Sequence, residues 1–275
     1  MQQTAEELHS QGKRIGVVPT MGYLHEGHLS LIRIAKQHTD VVVTTIFVNP
    51  MQFGPNEDFS NYPRDIERDR SLAESAGTDV LFTPETSEMY PTGYLTYVGV
   101  DNITTVLEGK VRPTHFRGVT TVVAKLFNIT KPHVVVFGQK DAQQAVVLRQ
   151  MVKDLNFDLQ IIVAPIVRES DGLAMSSRNV YLSPSERKQS VVISQSLKVA
   201  QQFILNGEKN PERIRSEMVK LISAQPSVSI DYVSIADAAT LQEESVLISG
   251  KTLLISLAVR IGTTRLIDNA LVIVS

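Results

Sequence analysis

The chain has 275 residues, 43% of them hydrophobic, which is enough for a real core and more than one compact unit of ordinary size usually holds. Its net charge of -2 and lack of any basic patch argue against a nucleic-acid partner, and the absence of cysteine excludes disulfides, thiolate metal sites and a cysteine nucleophile. No apolar run approaches the about 20 residues of a membrane helix, and the first residues lack a basic start followed by an apolar stretch, so the expectation is a soluble cytoplasmic protein with no membrane partner.

Thr4 and Glu7 have capping-box spacing and Gly12 stands where a helix would stop, so residues 4–12 read as a short helix. The runs 15–18, 41–48, 79–83, 133–137 and 159–164 are apolar or β-branched and read as buried strands. Helical patterns at 29–35, 63–76, 116–130 and 142–155 alternate with them. This alternation predicts an α/β fold with a Rossmann-like, doubly wound parallel sheet. In such sheets ligands sit at the carboxyl ends of the strands, which directs attention to the loops after Val18, Val48, Phe137 and Ala164.

The pattern changes after Leu182. Ser183, Pro184 and Glu186 form a helix-start signature opening a long amphipathic helix to about Leu205, and Asn210-Pro211 starts another. The runs 229–235, 252–259 and 265–274 have no crossover helix between them and predict a small antiparallel sheet. The expected division is residues 1–178 as a ligand-binding domain and 179–275 as a smaller α+β lid.

Four loops carry chemistry-bearing residues. The first runs Pro19-Thr20-Met21-Gly22-Tyr23-Leu24-His25-Glu26-Gly27-His28, from a strand into a helix. Histidines three apart at a helix start lie beside unpaired N–H groups and the positive end of the dipole, a phosphate-binding geometry; by themselves they could equally be solvated turn residues. The spacing is not that of a metalloprotease helix, no third ligand is evident, and no protein metal site is expected. No Walker-type phosphate loop is present either.

The second loop contains Asn49 and Gln52, neutral groups that donate and accept and so suit a substrate bearing hydroxyl and carboxylate groups, although an Asn-Pro turn taken alone reads as no more than a turn. In the third, Gly138-Gln139-Lys140-Asp141 leads into a helix, with Lys140 available to phosphate and Gln144 one turn later. The fourth spans Val167 to Asn179, where Ser176, Ser177 and Arg178 are dense in donors for polyphosphate oxygens. It also has the composition of a plain interdomain connection.

Together, in order from Pro19 to about Tyr181, these segments resemble the pantothenate synthetase family of the His-x-Gly-His nucleotidyltransferase superfamily, with Asn61-Tyr62-Pro63-Arg64 and His115-Phe116-Arg117-Gly118 adding to the likeness. Family members commonly carry a short strand before the first helix, whereas this chain begins almost directly in that helix. The resemblance implies an AMP-forming ligase that condenses pantoate with β-alanine through a pantoyl adenylate, using ATP with Mg²⁺ carried on its phosphates. It implies that Met21, Gly22, Tyr23, Leu24, His25, Glu26, Gly27 and His28 meet the nucleotide. Gly138, Gln139, Lys140, Asp141, Val167, Met175, Ser176, Ser177 and Arg178 would complete that site. His28, His25 and Lys140 would be catalytic, Gln52, Gln144 and Asn49 would hold substrate, and the protein would be a homodimer. A nucleotidylyltransferase that stops after pyrophosphate release, or an ATP-binding sensor, would use the same phosphate pocket.

Overall fold

The computed structural model of the chain describes residues 1–55 and 57–275. Short β-branched runs form β1 (Ile15–Thr20), β2 (Val41–Ile46), β3 (Val80–Phe82), β4 (Val134–Gly138) and β5 (Gln160–Ala164), a parallel sheet in the order β3-β2-β1-β4-β5. The chain moves outward from β1 to β3 and then returns to lay β4 against the other side of β1, pairing Val17 with both Val43 and Val135. The order of strands therefore reverses between β1 and β4, and a crevice opens there at the strands' carboxyl ends.

Among the described residues seven α-helices accompany this sheet: α1 (Gln2–Ser10), α2 (Glu26–His38), α3 (Ile66–Ala76), α4 (Thr86–Met89), α5 (Leu107–Val111), α6 (His115–Thr130) and α7 (Ala142–Asp154). Side chains alternate along each strand and divide the core in two. Val17, Val43, Val135 and Phe137 pack with α1, α6 and α7, while Val18, Val42, Val134 and Val136 pack with α2 and α3. Burial on both faces is why these strands read as continuous apolar runs.

In the remainder of the chain α8 (Pro184–Ser190), α9 (Val192–Leu205) and α10 (Pro211–Ser223) precede β6 (Val228–Asp237), β7 (Thr252–Ile261) and β8 (Thr264–Ile273), an antiparallel sheet in that order. Ile255, Leu257 and Val259 on one face of β7 bury against Ile193, Leu197, Ile214 and Met218 of α9 and α10. Ser256 and Arg260 on the opposite face look toward the crevice of the first sheet. Between the two sheets Asn269 donates to the carbonyls of Gln139 and Lys140, both at 2.9 Å, and Asp268 pairs with Arg168 at 2.6 Å.

Two expectations need correction. The helix expected to run from Ser183 to Leu205 is two helices meeting at Val191, where the hydroxyls of Ser190 and Ser194 take the carbonyls of Arg187 and Val191 and compete with the backbone ladder. Its start is as expected, with Glu186 accepting from the Ser183 N–H at 2.8 Å. The first helix begins two residues earlier than read, with Met1 at the cap, and Glu7 is held by the Gln3 amide at 3.0 Å instead of capping Thr4. The outer strands of the first sheet are β3 and β5. No described helix is long and apolar enough to cross a membrane.

Candidate active site

The loops following β1, β2, β4 and β5 converge on one cavity of about 1040 Å³, roofed by the β7–β8 hairpin. His25, His28, Gln52, Lys140, Gln144 and Arg178 all line it.

The histidine turn is built by reciprocal capping of α2. The Gly27 N–H donates to Nδ1 of His25 at 3.1 Å, and the His25 N–H donates to Nδ1 of His28 at 3.3 Å; the two rings lie 4.1 Å apart. A ring nitrogen that accepts carries no proton, so the neutral tautomer of each histidine holds its hydrogen on Nε2. Burial, reinforced by Lys140, pushes His25 down to about 4, and burial with the neighbouring His25 and Lys140 holds His28 well below the usual imidazole range. The two rings are thus neutral Nε2–H donors at the start of a helix, rather than the cations that phosphate binding by histidine would suggest from sequence.

Gly22, Tyr23 and Leu24 form the base of this turn and do not line the cavity. Gly22 stands at φ +85, where a glycine is required, and the N–H groups of Tyr23 and Leu24 donate to the buried carboxylate of Asp69 at 2.6 and 2.7 Å. Glu26 faces outward and pairs with Arg33. Gly27 faces His25 so closely that an added Cβ would sit 2.8 Å from the imidazole.

After β2, Asn49 is buried and its amide is fully engaged. Its Nδ2 donates to Oε1 of Gln52 and to the Gly118 carbonyl, each at 3.1 Å, while its Oδ1 accepts from the Tyr90 hydroxyl at 2.8 Å and the Met51 N–H at 3.3 Å. Asn49 therefore orients Gln52 and has no group left for a ligand. With Oε1 held, Gln52 presents Nε2 toward the cavity, 2.9 Å from the Met21 sulfur. The Gln52 carbonyl is fixed by Nδ1 of His115 at 2.9 Å and by Arg112 at 3.2 Å.

On the third loop Gly138, Lys140, Asp141 and Gln144 line the cavity, and Gln139 is turned away with its side-chain nitrogen on Asn269 at 3.0 Å. Its neighbour Gln143 is buried under α5, bonded to the Glu108 N–H and the carbonyls of Ile103 and Val106. On the fourth, Val167, Met175, Ser176, Ser177 and Arg178 line the cavity, with the Val167 carbonyl held by the Met175 N–H at 3.0 Å. The Ser177 hydroxyl donates to the Tyr23 carbonyl at 3.1 Å, tying this loop to the histidine turn. Arg178 is gripped by both oxygens of Asp58 at 2.8 and 2.9 Å and lies over the Tyr62 ring. Among the described residues no group of three His, Asp or Glu is arranged to hold a metal ion.

Residues not singled out from sequence complete the walls. Glu108 accepts from Arg265 at 2.7 and 2.8 Å and from the Tyr232 hydroxyl at 3.0 Å, with Arg112 at 3.7 Å. Those arginines hold its carboxyl below the usual range against the opposing effect of burial. Arg265 also pairs with Asp231, and Arg112 with Glu57, so one string of charges runs from the second sheet to the loop after Gln52.

The profile of the pantoate-beta-alanine ligase family matches residues 1–271. The pantothenate synthetase of Acetivibrio thermocellus is 59% identical over 95% of this chain and 92% of its own length, and that of Chloroherpeton thalassium 56% identical over 98% and 95%. The crystal structure of pantothenate synthetase from Thermus thermophilus superposes with a TM-score of 0.91 at 44% identity, covering 97% of this chain and 96% of the other. The Francisella tularensis pantoate-beta-alanine ligase, crystallised in complex with beta-gamma ATP and beta-alanine, gives 0.78 at 37% identity over 97% and 95%. With the histidine turn, the Gln52 turn and the Lys140 loop brought to one cavity at the switch point of the sheet, this chain belongs to the pantoate–β-alanine ligase family.

Proposed function

We propose that this cavity carries out both half-reactions of the ligase. The chain condenses pantoate with β-alanine at the expense of ATP, through a pantoyl adenylate, releasing pyrophosphate and AMP. The observation that carries the assignment of residues is that the Nε2–H donors of His25 and His28 line the same cavity as Lys140, Gln52 and Gln144.

In the first step the pantoate carboxylate attacks the α-phosphorus in line with the departing pyrophosphate. No protein nucleophile is required; the barrier is negative charge gathering on the phosphates, so fixed donors are what the protein supplies. His25 and His28 donate from Nε2 at the start of α2, and Lys140 adds a point charge at the end of β4. His28 serves as the acid of this step by donating a hydrogen bond while neutral. Met21 to His28, Gly138 to Asp141, Val167 and Met175 to Arg178 form the nucleotide site. Within it Gly22, Tyr23, Leu24, Glu26 and Gln139 act by shaping the backbone. Mg²⁺ enters as part of the nucleotide substrate, neutralising the phosphates.

Gln52 and Gln144 hold pantoate, with Asn49 fixing the polarity of the Gln52 amide. Residues 1–178 bind nucleotide and pantoate, and residues 179–275 close over them, excluding water from the adenylate. The protein works as a cytoplasmic homodimer. A product assay with ATP, pantoate and β-alanine, omitting each in turn, tests the scheme: AMP must appear only when the amine is present. AMP release without amine at the full rate, or nucleotide retained on the product, would refute it.

A further inference from the structure

The chemistry of His115 is the reverse of that of the other two cavity histidines. It opens α6 and lines the cavity beside Gln52. Its Nδ1 lies 2.9 Å from the Gln52 carbonyl oxygen. A carbonyl can only accept, so Nδ1 carries the hydrogen, and in a neutral imidazole Nε2 is then the lone-pair nitrogen. Burial and the neighbouring Arg112 push the ring down to about 4, against the opposing effects of the Gln52 carbonyl, Glu108 and Glu57, so it stays neutral near neutrality. Among the described residues Nε2 has no partner within hydrogen-bond distance. The cavity therefore contains two fixed donors on one wall and one fixed acceptor on another.

The second half-reaction needs such an acceptor. The ammonium of the incoming amino acid first loses one proton to solvent, exposing the lone pair. The amine then attacks the acyl carbon, and the nitrogen of the tetrahedral adduct becomes cationic. That nitrogen must lose its surplus proton before the carbonyl re-forms, the C–O bond to AMP breaks and the electron pair leaves on the AMP phosphate. We propose that Nε2 of His115 accepts this proton, making His115 the general base of amide formation, while its Nδ1–H bond to Gln52 fixes where the ring points. The adduct nitrogen is more acidic than the free ammonium, and collapse of the adduct with loss of AMP draws the proton transfer forward. The imidazolium returns its proton to water as the products leave.

This rests on Gln52 holding the acyl substrate, and the test keeps the two assignments apart. His115→Asn retains an N–H near the Nδ1 position, which can still reach the Gln52 carbonyl, and deletes Nε2. Rapid quench on wild type and variant would follow pyrophosphate release from ATP and pantoate, and then pantothenate formation after β-alanine is added to the preformed adenylate. The expected result is a loss of about 10²-fold in the β-alanine step and a much smaller change in pyrophosphate release. His115→Ala provides a second arm, in which added imidazole restores the β-alanine step. A β-alanine step at the wild-type rate in His115→Asn, or equal losses in both half-reactions, would overturn the proposal in favour of a purely positioning ring. Wild-type protein that releases no pyrophosphate with pantoate would sink the ligase assignment and the proposal with it.

Discussion

Gly118→Ala tests whether the Gln52 turn holds pantoate without touching a ligand. Gly118 lies inside α6 with its Cα against the turn, and an added Cβ would stand 2.2 Å from the Met51 carbonyl oxygen and 2.6 Å from the Gln52 nitrogen. Real Cβ contacts do not fall below 3.0 Å, so the helix and turn must separate by 3.0 − 2.2, about 0.8 Å. Backbone cannot swing aside as a side chain can. Overpacking of this kind costs about 1–3 kcal/mol, and for a chain of this size a melting point falls by about 2–4 °C per kcal/mol. A displacement near 1 Å of a substrate-holding group costs on the order of 10²-fold in rate. The expected outcome is kcat/KM for pantoate down about 10²-fold with a far smaller change in KM for ATP, because the histidine turn is braced separately by Asp69. Steady-state kinetics with each substrate varied, beside a thermal melt, measure both. A folded Gly118→Ala protein with wild-type kcat/KM for pantoate would show that the Gln52 turn does not position that substrate.

Lys140→Ala should lower single-turnover pyrophosphate release by about 10²–10³-fold with little change in melting temperature; release at the wild-type rate would remove Lys140 from the phosphate site. Folding holds His25 at about 4 and His28 and His115 below the ordinary range, so the unfolded chain binds more protons between roughly 6.5 and 4. The stability they contribute is complete above the unfolded value and declines as pH falls through that window. Urea titrations at several pH values should therefore give midpoints that drop from pH 7 to pH 4.5, with a shallower drop in His25→Asn; an unchanged slope would contradict the buried neutral state. Glu108→Ala removes the carboxylate shared by Arg265 and Tyr232 and should destabilise by about 3–5 kcal/mol, with faster protease cleavage between Ser177 and Tyr181 as the second sheet loosens. Cleavage at the wild-type rate would mean that this carboxylate does not hold the sheets together.

The strands are legible in the sequence because burial on both faces leaves unbroken apolar runs, and the loops that matter are legible because the parallel order fixes which ends face the crevice. Residue types in those loops are legible too, as the His25, His28 and Lys140 positions illustrate. Partnerships are not. Asn49 reads as a substrate ligand because nothing near it in the chain announces Tyr90 and Gly118, 41 and 69 residues further on, which consume its amide. Asp69 reads as one more charge in an acidic helix. A signal does exist, since Asp69, Ala73 and Ala76 share the buried face of α3 and a carboxylate on a face of alanines needs donors from elsewhere. The charges along Glu108, Arg112, Arg265 and Asp231 come from separate stretches of chain and acquire meaning only when the two sheets meet. The break at Val191, flanked by serine hydroxyls bonded to the Arg187 and Val191 carbonyls, is not encoded in an amphipathic pattern that runs on from Ser183 to Leu205.

The middle strand of the second sheet divides its work by parity. Leu253, Ile255, Leu257 and Val259 belong to the interior that keeps the smaller unit folded, while Leu254, Ser256 and Arg260 line the reaction chamber. Adjacent positions on β7 thus answer to different physical demands, and mutational libraries confined to Ser256 and Arg260 would reshape the chamber's ceiling while leaving the helix-facing core and the buried Leu254 and Ala258 untouched. Substitutions at the odd-numbered ones would test the opposite, altering cooperativity of unfolding before they altered turnover.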